Sequence, residues 1–328
     1  MLNYKLIEFQ KKIGLPIVIG YPYWLTIDPS NICNLECVFC PTGQRRNSRE
    51  KAVMKFEDFK KIIDKLGKYL LLIEFCNWGE PLLNPDLEKM ILYTHKYNIK
   101  TKLSTNLHIN LSEQRAVELL TCGIDEIIVS LDGVSQQTYE KYRRKGNFEL
   151  VFNNLKFLVE VKRRLNLKKP HIHWQFLVFK HNEHEIEIAK KMAQDIGDIT
   201  IGFTAPFCSI DWVSTIEEYN RYIVKDNEVT FKPVEKSCNW LWDGITINAN
   251  GSVSPCCSVE DEKDDFCNFF NKPFFLVWNN KKYIISRLYV RNKKFLPSGI
   301  YEKFKDEIIC LRCDHIGVSN HININFVI

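Results

Sequence analysis

Short apolar runs rich in β-formers alternate with longer segments of helical periodicity over the first two thirds of the chain. Apolar positions recurring every three to four residues predict helices near 56–66, 85–97, 111–121, 148–165 and 184–196. Asn84 and Pro85 suit the N-cap and first position of the second of these helices. The intervening runs predict six strands, at 23–28, 70–76, 99–104, 125–131, 172–179 and 199–204.

Helical crossovers return the chain to the same end of a sheet, so these six strands are expected to be parallel. The predicted fold class is therefore α/β, a partial (β/α)6 TIM-like barrel over residues 23–205, with its chemistry at the carboxyl ends of the strands. Leu2, Leu6, Phe9 and Ile13 recur at helical spacing before Gly14. Residues 2–13 are accordingly interpreted as an amphipathic helix that caps the domain, and 1–22 as this helix and a lead-in.

The alternation of strands and helices stops after residue 205. Residues 206–237 lack a clear period and are interpreted as a bridge. Residues 238–328 are rich in cysteine and aromatic residues, with a hairpin expected between Gly244 and Val253 that turns at Asn250 and Gly251. This last segment is predicted to be a small domain stapled by metal.

Composition narrows the class of protein without naming a partner. Hydrophobic residues make up 45% and charged residues 26% of 328, as in ordinary globular proteins. The net charge, 45 minus 40 or +5, is too small to indicate a nucleic-acid partner. The apolar stretch 13–19 is too short to span a membrane, so we expect a cytoplasmic protein without stable membrane insertion. Two basic runs, 162–169 and the set Arg45, Arg46, Arg49 and Lys51, are interpreted as solvated surface. The second set also carries a minority hypothesis, that one of its arginines reaches an anionic substrate.

Twelve cysteines in a chain without a secretory signal indicate metal binding or catalysis rather than disulfides. Cys33, Cys37 and Cys40 lie on one loop directly after the first predicted strand. Soft thiolates select iron-sulfur clusters or zinc. A cubane cluster normally takes four cysteines, so three on one loop suggest an iron left open for a small ligand. Zinc is the competing metal, although no histidine or fourth cysteine lies nearby to close a tetrahedral site.

The segment 28–41, with Cys-x3-Cys-x-aromatic-Cys after a first strand, resembles the signature of the radical S-adenosylmethionine (SAM) superfamily. The resemblance implies a [4Fe-4S] cluster held by the three cysteines, with SAM on its fourth iron. It also implies reductive cleavage of SAM to a 5′-deoxyadenosyl radical, which abstracts hydrogen from a substrate. In that family the aromatic residue before the last cysteine, here Phe39, lies against the adenine of SAM; its alternative role is ordinary core packing.

Further positions resemble family landmarks around SAM. Trp78-Gly79-Glu80-Pro81 is similar to the Gly-Gly-Glu motif, which accepts the amino group of SAM, with Trp78 in place of the first glycine. Arg143 matches an arginine that often pairs with the SAM carboxylate, and its alternative is a surface helix arginine. The resemblance also implies ribose, substrate or adenine contacts at strand ends, for Ser104, Thr105, Asn106, Ser130 and Asp132 and for 177–179 with Asn182.

A second cysteine set, Cys238, Cys256, Cys310 and Cys313, offers four thiolates that could close a cubane cluster or a structural zinc site. The pattern resembles the SPASM or twitch extension with a single auxiliary [4Fe-4S] cluster, so iron is favoured over zinc. Packing is expected for Cys76 and Cys122, and for Cys208, Cys257 and Cys267 unless one is an auxiliary ligand or hydrogen-atom donor. The histidine pair His171 and His173 is kept out of the metal ligands.

The resemblance implies an oxidoreductase served by a flavodoxin- or ferredoxin-type reductant. Our first hypothesis is dehydrogenation of a secondary alcohol on a sugar or cyclitol, because one auxiliary cluster and a compact chain resemble aminocyclitol dehydrogenases. The second is a peptide-modifying enzyme, which is less favoured because the residues before Tyr23 are too few for a peptide-recognition domain. The third is a non-enzymatic iron-sulfur or zinc protein, against which the intact cysteine triad and Glu80 argue. No catalytic residue is assigned.

Overall fold

A nine-stranded sheet forms the centre of the molecule, in a computed structural model that describes residues 2–225, 228–231, 238–291 and 296–313. Its strand order is β11-β10-β9-β1-β2-β3-β4-β5-β6, and β1 to β6 pair in parallel throughout. This arrangement confirms the predicted α/β class. The six parallel strands are β1 (Trp24–Ile27), β2 (Leu72–Phe75), β3 (Lys100–Thr105), β4 (Glu126–Ser130), β5 (His171–Leu177) and β6 (Ile199–Thr204).

Helices follow the strands and cover one face of this sheet. Strand residues such as Leu25, Ile73 and Ile127 are fully buried against helix residues such as Phe59 and share one core with them. Removing these large apolar side chains from water supplies the main driving force for folding. The helices are α1 (Leu2–Ile13), α2 (Phe56–Leu66), α3 (Leu87–Thr94), α4 (Glu113–Thr121), α5 (Gln136–Tyr142), α6 (Phe148–Arg164), α7 (Ile186–Ile196), α8 (Trp240–Asp243), α9 (Phe274–Trp278), α10 (Lys281–Arg291) and α11 (Ser298–Phe304).

The opposite face of the sheet is polar because successive side chains of a strand point to opposite sides. Thr26, Glu74, Lys102 and Glu126 stand in register across β1 to β4 on this side. The Lys102 ammonium lies 3.4 Å from the Glu126 carboxylate and 4.0 Å from that of Glu74. We call the side that carries these four residues the polar face.

The predicted C-terminal hairpin is present, and it extends the main sheet. Strand β9 (Gly244–Ile247) pairs with β10 (Ser252–Ser254) and runs parallel to β1, with Trp24 opposite Gly244. Gly251, at φ +80°, occupies the turn where the sequence predicts it. A short strand β11 (Cys267–Asn268) completes this edge. The division at residues 205 and 238 stays a prediction, since the two parts share one sheet.

The predicted bridge contains a two-stranded antiparallel sheet of β7 (Tyr222–Lys225) and β8 (Glu228–Phe231), which the sequence reading missed. Residues 226–227 and 232–237 of the bridge, and 314–328 of the last segment, lie outside the described residues.

The N-terminal helix has the predicted bounds and ends before Gly14, at φ +69°, but its predicted face is wrong. Ile7 and Gln10 are buried, whereas Phe9 is 59% and Ile13 47% exposed. The Gln10 amide oxygen accepts a hydrogen bond from the Gly20 backbone at 3.0 Å, which makes a polar residue the inward one. Periodicity finds the most apolar stripe of a helix but does not show which side meets the sheet.

The predicted cap at Asn84 is also wrong, since α3 begins at Leu87. The Asn84 side chain is buried and donates to the carbonyls of Pro29 at 2.8 Å and Met54 at 3.0 Å. Its oxygen accepts from the Asp86 backbone at 2.8 Å. Asn84 thus ties the lead-in of α3 to the loop after β1. Among the helices described, none has the length and apolar character needed to cross a membrane.

Candidate iron-sulfur and SAM site

The cysteine loop leaves the carboxyl end of β1 and brings three thiols into one partly buried region. Burial raises the pKa of the Cys33 thiol to about 12, and Glu80, Cys37 and Cys40 add to the shift as negative neighbours. N–H groups point at two of the sulfurs: Leu35 and Asn106 at Cys33, at 3.5 and 3.6 Å, and Arg143 at Cys37, at 3.8 Å. Such donors stabilise thiolate sulfur, so the loop suits metal ligation.

The loop is fastened to the segment that follows α5. The backbone N–H groups of Glu36 and Val38 donate to the carbonyls of Arg144 and Tyr142 at 3.0 and 3.1 Å. Arg143 is buried between them and reaches Cys37, which excludes the surface-helix alternative. Its Nε donates to Asp132 at 2.6 Å.

Asp132, for which the resemblance implied a ribose or substrate contact, binds protein donors through both carboxylate oxygens, and the implied contact stays a prediction. It is fully buried, and its second carboxylate oxygen accepts from the Leu177 backbone at 2.7 Å. Burial raises the pKa of the Asp132 carboxyl, and the adjacent Arg143 guanidinium opposes this shift. Asp132 therefore orients Arg143 beside the cysteine loop.

Phe39 sits in an aromatic group with Trp212, Tyr142 and Phe179. The ring centroid of Phe39 lies 5.2 Å from that of Trp212, 6.2 Å from Tyr142 and 6.4 Å from Phe179. The residues 177–179 and Asn182 thus lie near Phe39, and the Asn182 amide donates to the Asp132 carbonyl at 3.0 Å. Trp212 and Tyr142 are not predicted from the sequence as site residues, because they are far from Phe39 along the chain.

The turn Trp78-Gly79-Glu80 packs directly against the start of the cysteine loop. The Glu80 backbone donates to the Ile32 carbonyl at 2.8 Å. A side chain on Gly79 would place its Cβ 1.6 Å from the Ser30 carbonyl oxygen, so only glycine fits. The buried Glu80 carboxylate accepts from Thr105, Asn106 and Leu82 at 2.6, 2.7 and 3.0 Å. The structure thus brings the predicted residues Gly79, Glu80 and Asn106 together next to Cys33.

Ser104 and Ser130 lie elsewhere on the strand ends. Ser104 stands opposite Ile128 on β4, and Ser130 is 8% exposed at the end of β4, opposite Gln175 on β5. Leu103 and Val129, which precede them, are buried in the core on the side covered by helices. Because successive side chains of a strand point to opposite sides, both serines belong to the polar face.

Asp28, at the end of β1, was not singled out from the sequence as a site residue, although its place directly after a strand was a usable signal. It is fully buried, and its Oδ2 accepts from the Trp78 backbone at 3.4 Å. Its Oδ1 has no hydrogen-bond partner among the described residues, and neither do the hydroxyls of Thr26 and Thr246. Burial raises the pKa of the Asp28 carboxyl to about 7, against the Trp78 and Gly79 backbone N–H groups, which lower it.

The four C-terminal cysteines of the second set also gather. Burial raises the pKa of the Cys256 thiol to about 12, with further increases from its neighbours, which include Cys238 and Cys313. Burial likewise raises the pKa of Cys310, with Cys256, Cys238 and Cys313 adding to it. No three potential ligands in the described parts of the chain converge as those of a single metal ion do. Cysteines of a cubane each bind a different iron, so the two findings are compatible.

Several other predicted residues have structural partners. Arg49 is buried and pairs with Asp265, which removes it from the hypothesis of an anionic substrate. His171 and His173 both contact the Thr200 hydroxyl, at 2.8 and 2.7 Å. Cys122 is buried as expected. Cys76, however, is not in an apolar setting: burial raises the pKa of its thiol, and the nearby Glu74, Asp28 and Cys257 raise it further.

Comparison with known proteins identifies this site. The sequence profile of the radical SAM superfamily matches residues 27–192, and that of the SPASM iron-sulfur cluster-binding domain matches residues 238–314. The chain belongs to the radical SAM superfamily. It is accordingly an enzyme whose cofactors are a [4Fe-4S] cluster, SAM and an auxiliary iron-sulfur cluster.

Two curated relatives match part of the chain. The mycofactocin maturase MftC of Mycolicibacterium smegmatis is 28% identical over 152 residues, which are 46% of this chain and 36% of that protein. A probable GTP 3′,8-cyclase of Methanococcus maripaludis is 31% identical over 137 residues, 42% of this chain and 45% of that protein. The chain thus matches less than half the length of each relative.

Solved structures show the same fold over more of the chain. SuiB of Streptococcus suis bound to S-adenosylmethionine has a TM-score of 0.61 at 16% identity, over 85% of this chain and 69% of that one. BtrN in complex with AdoMet and 2-DOIA has a TM-score of 0.53 at 18% identity, over 92% and 96%. At these identities the likeness concerns the fold.

Replacing Gly79 by alanine is expected to disrupt the turn, because its Cβ would meet the Ser30 carbonyl oxygen. We expect a loss of ~1–3 kcal/mol in the free energy of unfolding, as for other overpacked sites, together with loss of SAM binding in equilibrium dialysis. Gly299→Ala is the matched control, since nothing lies within 4 Å of its Cβ position. SAM affinity equal to that of the wild type in Gly79→Ala would contradict this account of the turn.

Asp28 is expected to make stability depend on pH. Its pKa is raised to about 7 in the folded state, so the folded chain binds the proton more tightly and stability falls as pH rises from about 4 through 7. The free energy of unfolding of Asp28→Asn, relative to that of the wild type, should therefore increase by roughly 2–4 kcal/mol between pH 5 and pH 8. The measurement is denaturant unfolding at each pH. The exposed Asp195→Asn serves as control. Parallel pH profiles of wild type and Asp28→Asn would disprove the assignment.

Proposed function

We propose that this enzyme removes hydrogen from a secondary alcohol of a polar small molecule, such as a sugar or cyclitol, and oxidises it to a ketone. The observation that carries the proposal is the unused hydrogen-bonding capacity on the polar face. Asp28 Oδ1 and the hydroxyls of Thr26 and Thr246 are buried without partners among the described residues. A substrate rich in hydroxyl groups supplies the donors and acceptors that such atoms require.

The residues that hold the cofactors are part of this proposal. Cys33, Cys37 and Cys40 bind the first cluster, and Cys238, Cys256, Cys310 and Cys313 bind the auxiliary one. When bound, these groups and SAM provide a 5′-deoxyadenosyl radical that takes one hydrogen atom, and an acceptor for the second electron. The residues proposed to position SAM are Phe39, Gly79, Glu80, Ser104, Asn106, Ser130 and Arg143.

The chain itself contributes charge and shape around SAM. The planar fork of the Arg143 guanidinium, whose side chain is 13% exposed, donates from Nε to Asp132 and from Nη1 to Cys37 Sγ. A fork of this kind binds a carboxylate in two places at once. Glu80 is held rigid by Thr105 and Asn106, as a group that orients an ammonium must be.

A peptide substrate is the second candidate, supported by the sequence similarity to the maturase MftC. Both candidates begin with SAM cleavage, and they differ in the substrate that the enzyme converts. Anaerobic assays of SAM cleavage with sugars and cyclitols, read by mass spectrometry, separate them: the first candidate requires a product lighter by two hydrogen atoms with an intact carbon skeleton. Turnover with a peptide alone would replace the first candidate by the second.

Serine at Cys33, Cys37 or Cys40 is expected to abolish 5′-deoxyadenosine formation, because a hydroxyl is a poor ligand for iron of a cubane. The reconstituted wild type should contain roughly eight irons per chain, four for each of two cubanes, and each of these variants about four. The measurements are iron and sulfide counting and chromatography of 5′-deoxyadenosine.

Cys122→Ser is the matched control, since Cys122 is a buried thiol bonded to the Leu119 carbonyl. It should keep both the iron content and the cleavage activity. Survival of SAM cleavage in the three loop variants would refute the assignment of the first cluster, and four irons in the wild type would refute the second.

A further inference from the structure

Trp78 joins the proposed SAM-binding turn to the C-terminal part of the chain. Its indole Nε1 donates to the Val259 carbonyl at 2.7 Å, while its backbone N–H donates to Asp28. Val259 is 1% exposed, so the indole bond is largely shielded from water. Because an indole N–H group can only donate, this bond requires an acceptor, and the Val259 carbonyl oxygen provides it.

Arg49 makes a second link to the same C-terminal segment. Its guanidinium binds the Asp265 carboxylate through two bonds, of 2.6 and 2.8 Å, and also donates to the Val259 and Glu260 carbonyls at 3.2 and 2.9 Å. The side chains of the pair are 1% and 6% exposed. Residues 259–265, which we call the docking segment, are thus held by two donors from the first part of the chain, the partly buried Trp78 and the buried Arg49.

Arg49 is in turn connected to the cysteine loop. Asn31, two residues before Cys33, donates to the Glu50 carbonyl and accepts from the Ala52 backbone, both at 2.7 Å. The docking segment therefore reaches the loop through Arg49 and Asn31, and the turn through Trp78. The turn itself packs closely against the start of the cysteine loop, since the Gly79 position leaves no room even for a methyl group against Ser30.

The docking segment starts three residues after Cys256, a proposed ligand of the auxiliary cluster. We propose that Trp78 is a positioning residue through which the folded auxiliary part of the chain holds the SAM-binding turn, so that its order raises the affinity for SAM. The inference rests on the proposed role of Gly79 and Glu80 in binding SAM. Its physical basis is that a turn already fixed loses less conformational freedom when the ligand binds.

The experiment measures SAM dissociation constants by equilibrium dialysis on anaerobically reconstituted, oxidised full-length enzyme. Trp78→Phe keeps an aromatic ring but removes the donor to Val259, and we expect it to raise the dissociation constant about three- to tenfold, the range that one ordinary hydrogen bond supports. Trp240→Phe is the matched control, because the Trp240 indole nitrogen is buried without a partner among the described residues. It should leave SAM affinity unchanged.

Dependence on the auxiliary part is tested by a double-mutant cycle with Cys313→Ser. If Cys313→Ser removes the order of the auxiliary part, Trp78→Phe should no longer change SAM affinity. The ratio of the SAM dissociation constants with and without Trp78→Phe should then approach one. The spectrum of the reduced first cluster, recorded by electron paramagnetic resonance with and without SAM, should show incomplete conversion in Trp78→Phe at SAM concentrations that saturate the wild type.

Each outcome decides a different point. A wild type that binds no SAM overturns the proposed function. A wild type that binds SAM, with equal affinity in Trp78→Phe at full iron content, overturns the positioning role alone. If Trp78→Phe loses iron, Asp265→Asn tests the proposal with Trp78 in place, because it too should raise the SAM dissociation constant. An unchanged dissociation constant in Asp265→Asn would overturn the proposal. An undiminished Trp78→Phe effect in Cys313→Ser removes the auxiliary part from the coupling.

Discussion

The backbone ladder on both sides of β1 is the interaction on which the rest of the structure depends. Trp24–Ile27 pairs in parallel with Leu72–Phe75 on one side and with Gly244–Ile247 on the other. Parallel strands present their carboxyl ends at the same edge of the sheet. The cysteine loop, the Trp78-Gly79-Glu80 turn and the turn of the C-terminal hairpin therefore start side by side, although the hairpin follows the cysteine loop by more than two hundred residues.

Burial at this edge creates costs that nearby groups offset. Thiols and carboxylates that are removed from water resist ionisation, as the raised pKa values of Cys33, Cys37 and Asp132 show. Arg143 opposes the effect at Cys37 and Asp132. The Thr105 hydroxyl and the Asn106 backbone N–H donate to the Glu80 carboxylate. The charged groups of the site are thus stabilised by protein donors that the fold holds in place, which is the condition for electrostatic preorganisation.

How much of this the sequence predicts differs between local and long-range features. Strand positions, the bounds of α1 and the turn at Gly251 follow from patterns a few residues long, and they are present in the structure. The cysteine loop and the Gly79-Glu80 turn carry motifs, so their residues were found in advance. The Arg49–Asp265 pair and the Trp78–Val259 bond join residues more than 180 positions apart. No local pattern encodes such contacts, and Arg49 was consequently grouped with exposed cations.

The two faces of the sheet divide the work of the fold in a way that constrains the chemistry. The side covered by helices is built from Leu25, Ile73, Ile127 and similar residues without spare polar atoms, so it contributes stability. The polar face carries Glu74, Lys102 and Glu126 in mutual ion pairs, which fix their side chains across neighbouring strands. Three atoms at its junction with the C-terminal hairpin lack hydrogen-bond partners among the described residues: Asp28 Oδ1 and the hydroxyls of Thr26 and Thr246. Because buried polar atoms are costly until they are hydrogen-bonded, this junction favours a ligand that donates to Asp28 and pairs with both hydroxyls. A purely apolar substrate would leave that cost in place.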